Sequence, residues 1–135
     1  MTTGKFNIVL GLIVMILAAF TGFALALTLD PYFQSGHMQV TFWRYLTKVG
    51  HTHGMPFGMI NILFGLLIVH AVCSDRLKRL AAVFTALALC LPLGGALRGL
   101  TEGAIWAEGL AMLGGTSLLI ACVVMIGVVG ATRKA

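Results

Sequence analysis

Apolar residues fill this chain in four long runs separated by short polar stretches, with no sustained alternation of the kind a half-buried strand would show. The runs are Phe6 to Leu29, Met55 to Val72, Leu80 to Leu97 and Ala104 to Ala131. Crossing about 30 Å of hydrocarbon takes about 20 residues of helix, so each run predicts one transmembrane span. The expected fold is all-α, an integral membrane four-helix bundle that makes one domain of residues 1–135. The turns Cys73 to Arg79 and Arg98 to Gly103 are tight, which makes the last three helices antiparallel neighbours. Asp30 to Gly54 is the only long connection. Within it Val40, Phe42, Trp43, Tyr45, Leu46 and Val49 alternate with Arg44 and Lys48, predicting a short interfacial helix over about 39–49 with an aromatic anchor. The first run is about twice the length of a signal-peptide core and is read as a retained helix.

Composition sharpens this picture. Of 135 residues 59% are hydrophobic and 10% charged, too few polar groups to clothe a soluble domain, so lipid must cover much of the surface. The net charge of +5 would suggest nucleic acid in a soluble protein. Here the basic residues stand at the ends of apolar runs and read as topology signals, with no nucleic-acid partner expected. Lys5, Arg76, Lys78, Arg79, Arg133 and Lys134 fall on one side of the predicted membrane, Arg44, Lys48 and Arg98 on the other. That split predicts both termini in the cytoplasm, in a bacterial inner membrane. Cys73, Cys90 and Cys122 form no CxxC pair and read as buried thiols.

Ionisable groups are costly within a bilayer, so their positions direct the search for chemistry. The predicted topology puts Asp30, His37, His51, His53, Glu102 and Glu108 at one face. His70, near Cys73 and Asp75 at the other, reads as an interface residue. His51 and His53 stand at the mouth of the second span, with Met55 and Met59 beside them and Pro56 suited either to a first helical turn or to a kink. If the helix runs through both histidines they diverge by about 200° and do not chelate one ion together. Either could be a single axial ligand, because imidazole suits heme iron, copper or zinc. Gly54, Gly58 and Gly65 share a helix face with Asn61, as a close helix contact or the flat face of a large ligand would require. Glu108, one turn inside the fourth span, needs a partner, for which His53, Arg98 and a lipid headgroup are candidates.

The His53-Gly54-Met55-Pro56 segment, following a Trp-containing outer stretch, resembles the styrene oxide isomerases, four-helix membrane enzymes that bind heme b. The Ser74-Asp75-Arg76-Leu77-Lys78-Arg79-Leu80 turn resembles that family's basic turn into the third helix. The resemblance implies heme b held by His53, with His51 the alternative, and Gly54 and Gly58 beside the cofactor. It also implies a homotrimer with heme between subunits, and rearrangement of small hydrophobic epoxides to carbonyl compounds by ferric iron. This chain departs from the family where an asparagine and a tyrosine orient the epoxide: those positions fall at Met59 and near Ala96. Asn61 is the nearest replacement and the expected catalytic residue. The outer loop before the fourth helix is also shorter. The HxHxMxxG pattern of residues 51–58 is similar to a segment of NnrS-type heme- and copper-associated membrane proteins. The competing functions are a small structural or assembly subunit of a membrane complex and an outer-face protein that handles transition metals.

Overall fold

The computed structural model describes residues 3–28, 34 and 41–132. Asp30 and His37 lie outside the described residues, as do the side chains of Phe42 and Trp43 on which the aromatic anchor rests. Among the described residues five helices build an all-α bundle of four spans: α1 (Thr3–Leu27), α2 (Phe42–His70), α3 (Asp75–Leu87), α4 (Cys90–Leu100) and α5 (Ile105–Thr132). α1, α2 and α5 each supply one span, and α3 with α4 supplies the third. All four are long and apolar enough to cross a membrane, and the broad apolar surface they expose, such as Phe20, Phe23 and Ile126, suits lipid.

Three features differ from the sequence-based expectation, the first being that α3 already begins at Asp75, inside the turn expected over Cys73 to Arg79. The interfacial helix is not separate, because its residues from Phe42 to Val49 are the first two turns of α2, which runs unbroken from Phe42 through Pro56 to His70. Arg44 holds this extension in place. Its guanidinium is buried and donates to the Leu25 carbonyl at 2.6 Å and to Thr28 Oγ1 at 3.0 Å, capping the end of α1. The third span, by contrast, is broken where one helix is expected. Pro92 has no N–H to offer the Ala88 carbonyl, and its ring crowds the preceding turn. The chain answers with tighter bonds, Leu89 N to Ala86 O at 3.1 Å and Leu91 N to Ala88 O at 3.1 Å.

The other turns follow from local chemistry. Ser74 caps α3, its hydroxyl accepting from Leu77 N at 3.4 Å, and Asp75 in the first turn complements the helix dipole. Between α4 and α5, Glu102 and Gly103 take φ of 52° and 100°. Glycine accepts the left-handed region without strain.

α1 lies antiparallel on α2 at unusually close range. Gly4 faces Gly65, Gly11 faces Gly58 and Ala18 faces Gly54, so that a Cβ on Gly58 would meet Met15 Cγ at 2.6 Å and the Gly11 carbonyl at 2.9 Å. Small residues seven apart let two backbones touch where lipid offers no hydrophobic drive to associate. α5 packs on α4 through Gly94, against Ala107 and Ala111, and through Gly114 against Leu91. Ile68, Ala81, Ala82, Met125 and Val128 form the apolar centre where α2, α3 and α5 meet. The Thr132 hydroxyl accepts from Val72 N at 3.3 Å, so the described ends of α1 and α5 lie at the same end of the bundle.

Candidate functional site

Because α2 passes through residues 51–53 as regular helix, its two histidines point in different directions, as a helical path requires. His51 turns toward α1. Its Nδ1 lies 2.6 Å from the Ala18 carbonyl, and its ring rests on Gly22, where any side chain would collide with the imidazole. His53 is exposed, its Nδ1 2.9 Å from the Val49 carbonyl of its own helix, with the Phe57 ring centroid 6.1 Å away. A carbonyl only accepts, so in both residues Nδ1 is the donor, and in the neutral tautomer with that proton Nε2 is the nitrogen that can bind a metal. This is the tautomer a metal-binding imidazole takes when its second nitrogen is anchored to the backbone.

His51 forms part of the wall of an apolar cavity of about 510 Å³ between α1, α2 and the break in the third span. Val14 and Leu17 of α1, Gly54 of α2, and Leu89, Cys90 and Leu93 at the break share that wall. The cavity lies at the interruption, with Leu89, Cys90, Pro92 and Leu93 in its wall.

Below the cavity three helices are joined by buried polar groups. Asn7, Asn61 and Thr85 have no exposed surface. Asn7 Nδ2 donates to Asn61 Oδ1 at 3.2 Å and to the Ala82 carbonyl at 2.9 Å. Asn61 Nδ2 donates to Phe57 O at 3.1 Å and to Thr85 O at 2.9 Å. The Thr85 carbonyl is the one whose helical partner, Leu89 N, has turned back to Ala86. Asn61 therefore satisfies an acceptor that the break releases, in a place where water cannot.

This geometry bears on each candidate residue. Asn61, the expected catalytic group, is enclosed and hydrogen-bonded, and orienting an epoxide would require it to give up one of these bonds. At Gly54 a Cβ would meet that of Ala18 at 2.8 Å, and Gly58 is covered by Gly11 and Met15, so in this chain both glycines seat α1. Of the partners considered for Glu108, the structure selects Arg98, at 3.0 Å. Among the described residues no three or more of His, Cys, Asp and Glu gather closely enough to hold a metal ion. Comparison with known proteins returned no match to any family model, curated protein or solved structure.

Sequence reasoning passed over Asn7, Thr85 and Pro92. Asn7 was detectable as an amide at the second residue of a run read as a transmembrane span, and Pro92 as a helix breaker in the third run. Thr85 carried no such signal, because a threonine hydroxyl satisfies itself on its own helix, here on Ala81 O at 2.7 Å.

Proposed function

We propose that this chain is a heme b-binding integral membrane protein whose iron is held by an imidazole at the outer part of α2. The observation that carries this reading is His51, with Nδ1 anchored to Ala18 O and the residue in the wall of an apolar cavity. That donor set and its surroundings fit a heme, which needs one strong nitrogen ligand and an apolar bed for its macrocycle. His53 is the ligand favoured by the styrene oxide isomerase resemblance. Its exposure suits a heme held between neighbouring subunits of a homotrimer, with Phe57 beside the ring.

Bound ferric heme would supply a Lewis acid for the oxygen of a small epoxide. The chain's part is to admit an apolar substrate from the lipid through the gap between α1 and the third span, and to exclude water there. Leu17, Leu89 and Leu93 provide that lining. The lysine and arginine asymmetry supports cytoplasmic termini in a bacterial inner membrane. Reporter fusions at Ala135 and Gln34 should fall on opposite sides of it.

The deciding measurement is the Soret absorption of detergent-purified protein with His51→Ala, His53→Ala and both. Loss in His51→Ala alone supports the cavity site, and loss in His53→Ala alone supports the intersubunit site. A Soret band retained in the double variant, or lacking in the parent, defeats the heme reading. Conversion of styrene oxide to phenylacetaldehyde by the heme form tests the isomerase activity separately. A second reading, a non-catalytic subunit of a membrane complex, is favoured by Gly109 and Gly130 of α5, where an added Cβ would meet no packed neighbour within 4 Å.

A further inference from the structure

At the end of the bundle away from His51, a separate pocket of about 490 Å³ lies between the first turn of α1, the last turns of α2 and the first turn of α3. Lys5, Lys78 and Arg79 line it, together with Asp75, and Ile68 and Val69 form its apolar side. Three cations and one carboxylate leave a net charge of 3 − 1 = +2. None of the three cations is in an ion pair among the described residues.

Basic residues at span ends are expected from topology alone, but that rule asks only that they lie on one side of the membrane. It does not ask that cations from two helices line one concave space. The depth of the pocket is equally specific. Immediately beyond Lys5 along α1 come Phe6 and Val9, and beyond Arg79 along α3 come Leu80 and Val83, all exposed. The cations thus stand at the boundary between polar and apolar surface on both helices at once, which is the depth of a phospholipid phosphate.

We infer that this pocket binds the headgroup of an anionic phospholipid. Lys5, Lys78 and Arg79 hold the phosphate, Asp75 accepts from a headgroup hydroxyl, and the acyl chains lie along the apolar surface beyond. A phosphodiester bearing a glycerol, as in phosphatidylglycerol, meets all of these groups. A free phosphate shares the anionic chemistry but has nothing to place on the apolar surface. The site lies at the opposite end of the bundle from the imidazoles and stands independently of heme.

The test is native mass spectrometry of the full chain extracted from vesicles of equal parts phosphatidylcholine and phosphatidylglycerol. Phosphatidylglycerol should be retained in preference to phosphatidylcholine. Each neutralisation among Lys5→Gln, Lys78→Gln and Arg79→Gln should lower that retention about fivefold. Arg76→Gln, which alters the same helix outside the pocket, should leave it unchanged and serves as the control for diffuse surface charge. Equal retention of the two lipids, equal loss in Arg76→Gln, or displacement of the lipid by millimolar inorganic phosphate would each overturn the assignment.

Discussion

Along its contact with α2, helix α1 presents Gly4, Gly11 and Ala18, and the two backbones approach until no side chain fits between them. Along its contact with the third span the same helix presents Asn7 and then Leu10, Val14 and Leu17, and past Asn7 the seam widens into the apolar cavity. One face of α1 is closed by the removal of side chains. The other is held by the Asn7 amide and by Leu10 and Val14, packed on the cluster of Phe57, Ala88 and Leu89, and its cavity lies beside the helix break. The difference teaches where a small membrane protein can keep a binding space. Without water to drive helices together, contact has to come from shape or from hydrogen bonds. A cavity persists where a helix break stops the partner from following and its released carbonyl finds a new donor.

The closed seam should be the most sensitive to mutation. Gly11→Leu places a side chain against the Gly58 carbonyl and Ile62, where backbone cannot yield as a flexible side chain would. We expect a loss at the upper end of about 1–3 kcal/mol, or failure to fold, measured by unfolding in detergent. Parent-like stability would show that the close approach of α1 and α2 is not what holds the bundle.

On the amide joint the effect should be smaller. Asn61→Leu removes the donor to Thr85 O and the acceptor for Asn7. Interhelical hydrogen bonds in membranes are worth roughly 0.6 kcal/mol each, and up to about 1.7, so destabilisation of about 1–2 kcal/mol should follow. If Asn61 has no catalytic part, Asn61→Leu and Asn7→Leu should alter any epoxide turnover only as far as they alter stability. A selective loss of turnover in Asn61→Leu would return that residue to the reaction.

Pro92→Ala aims at the opening itself. Restoring an N–H at residue 92 lets the third span become continuous, with stability changed by at most about 1 kcal/mol. The cavity should shrink and retention of heme, or of any apolar guest, should fall. An unchanged capacity would separate the cavity from the break.

Smallest of all should be Glu108→Gln. The Arg98–Glu108 pair is partly exposed, at 32% and 46% of the side-chain surfaces, and such pairs contribute about 0–1 kcal/mol. Arg98→Gln should behave alike within error in the same unfolding assay, whereas a loss confined to one of the two variants would show that the charges act separately.

Much of the architecture was legible in the residues. Four apolar runs predicted four spans because lipid demands about 20 apolar residues of helix per crossing, whatever the neighbours do. The glycine face of α2 was legible too, but not its occupant, since a close helix and a flat ligand ask for the same small residues. α2 starts at Phe42, well before the apolar run that begins at Met55. Alternating aromatic and basic residues describe an interfacial segment equally well whether it lies apart or joins the span, and the bonds from Arg44 to the end of α1 decide between these.

By itself, then, the sequence determined the class of fold, the number of spans and the presence of two imidazoles at one helix entrance, all consequences of local composition and the bilayer's thickness. Tertiary structure alone decided that His51 faces the cavity while His53 faces outward, that Gly54 and Gly58 seat α1, and that Asn61 satisfies the carbonyl released by the break at Pro92. Each of these depends on which helix lies opposite and at what rotation. No single segment encodes that information, because it arises only when α1, α2 and the third span pack together.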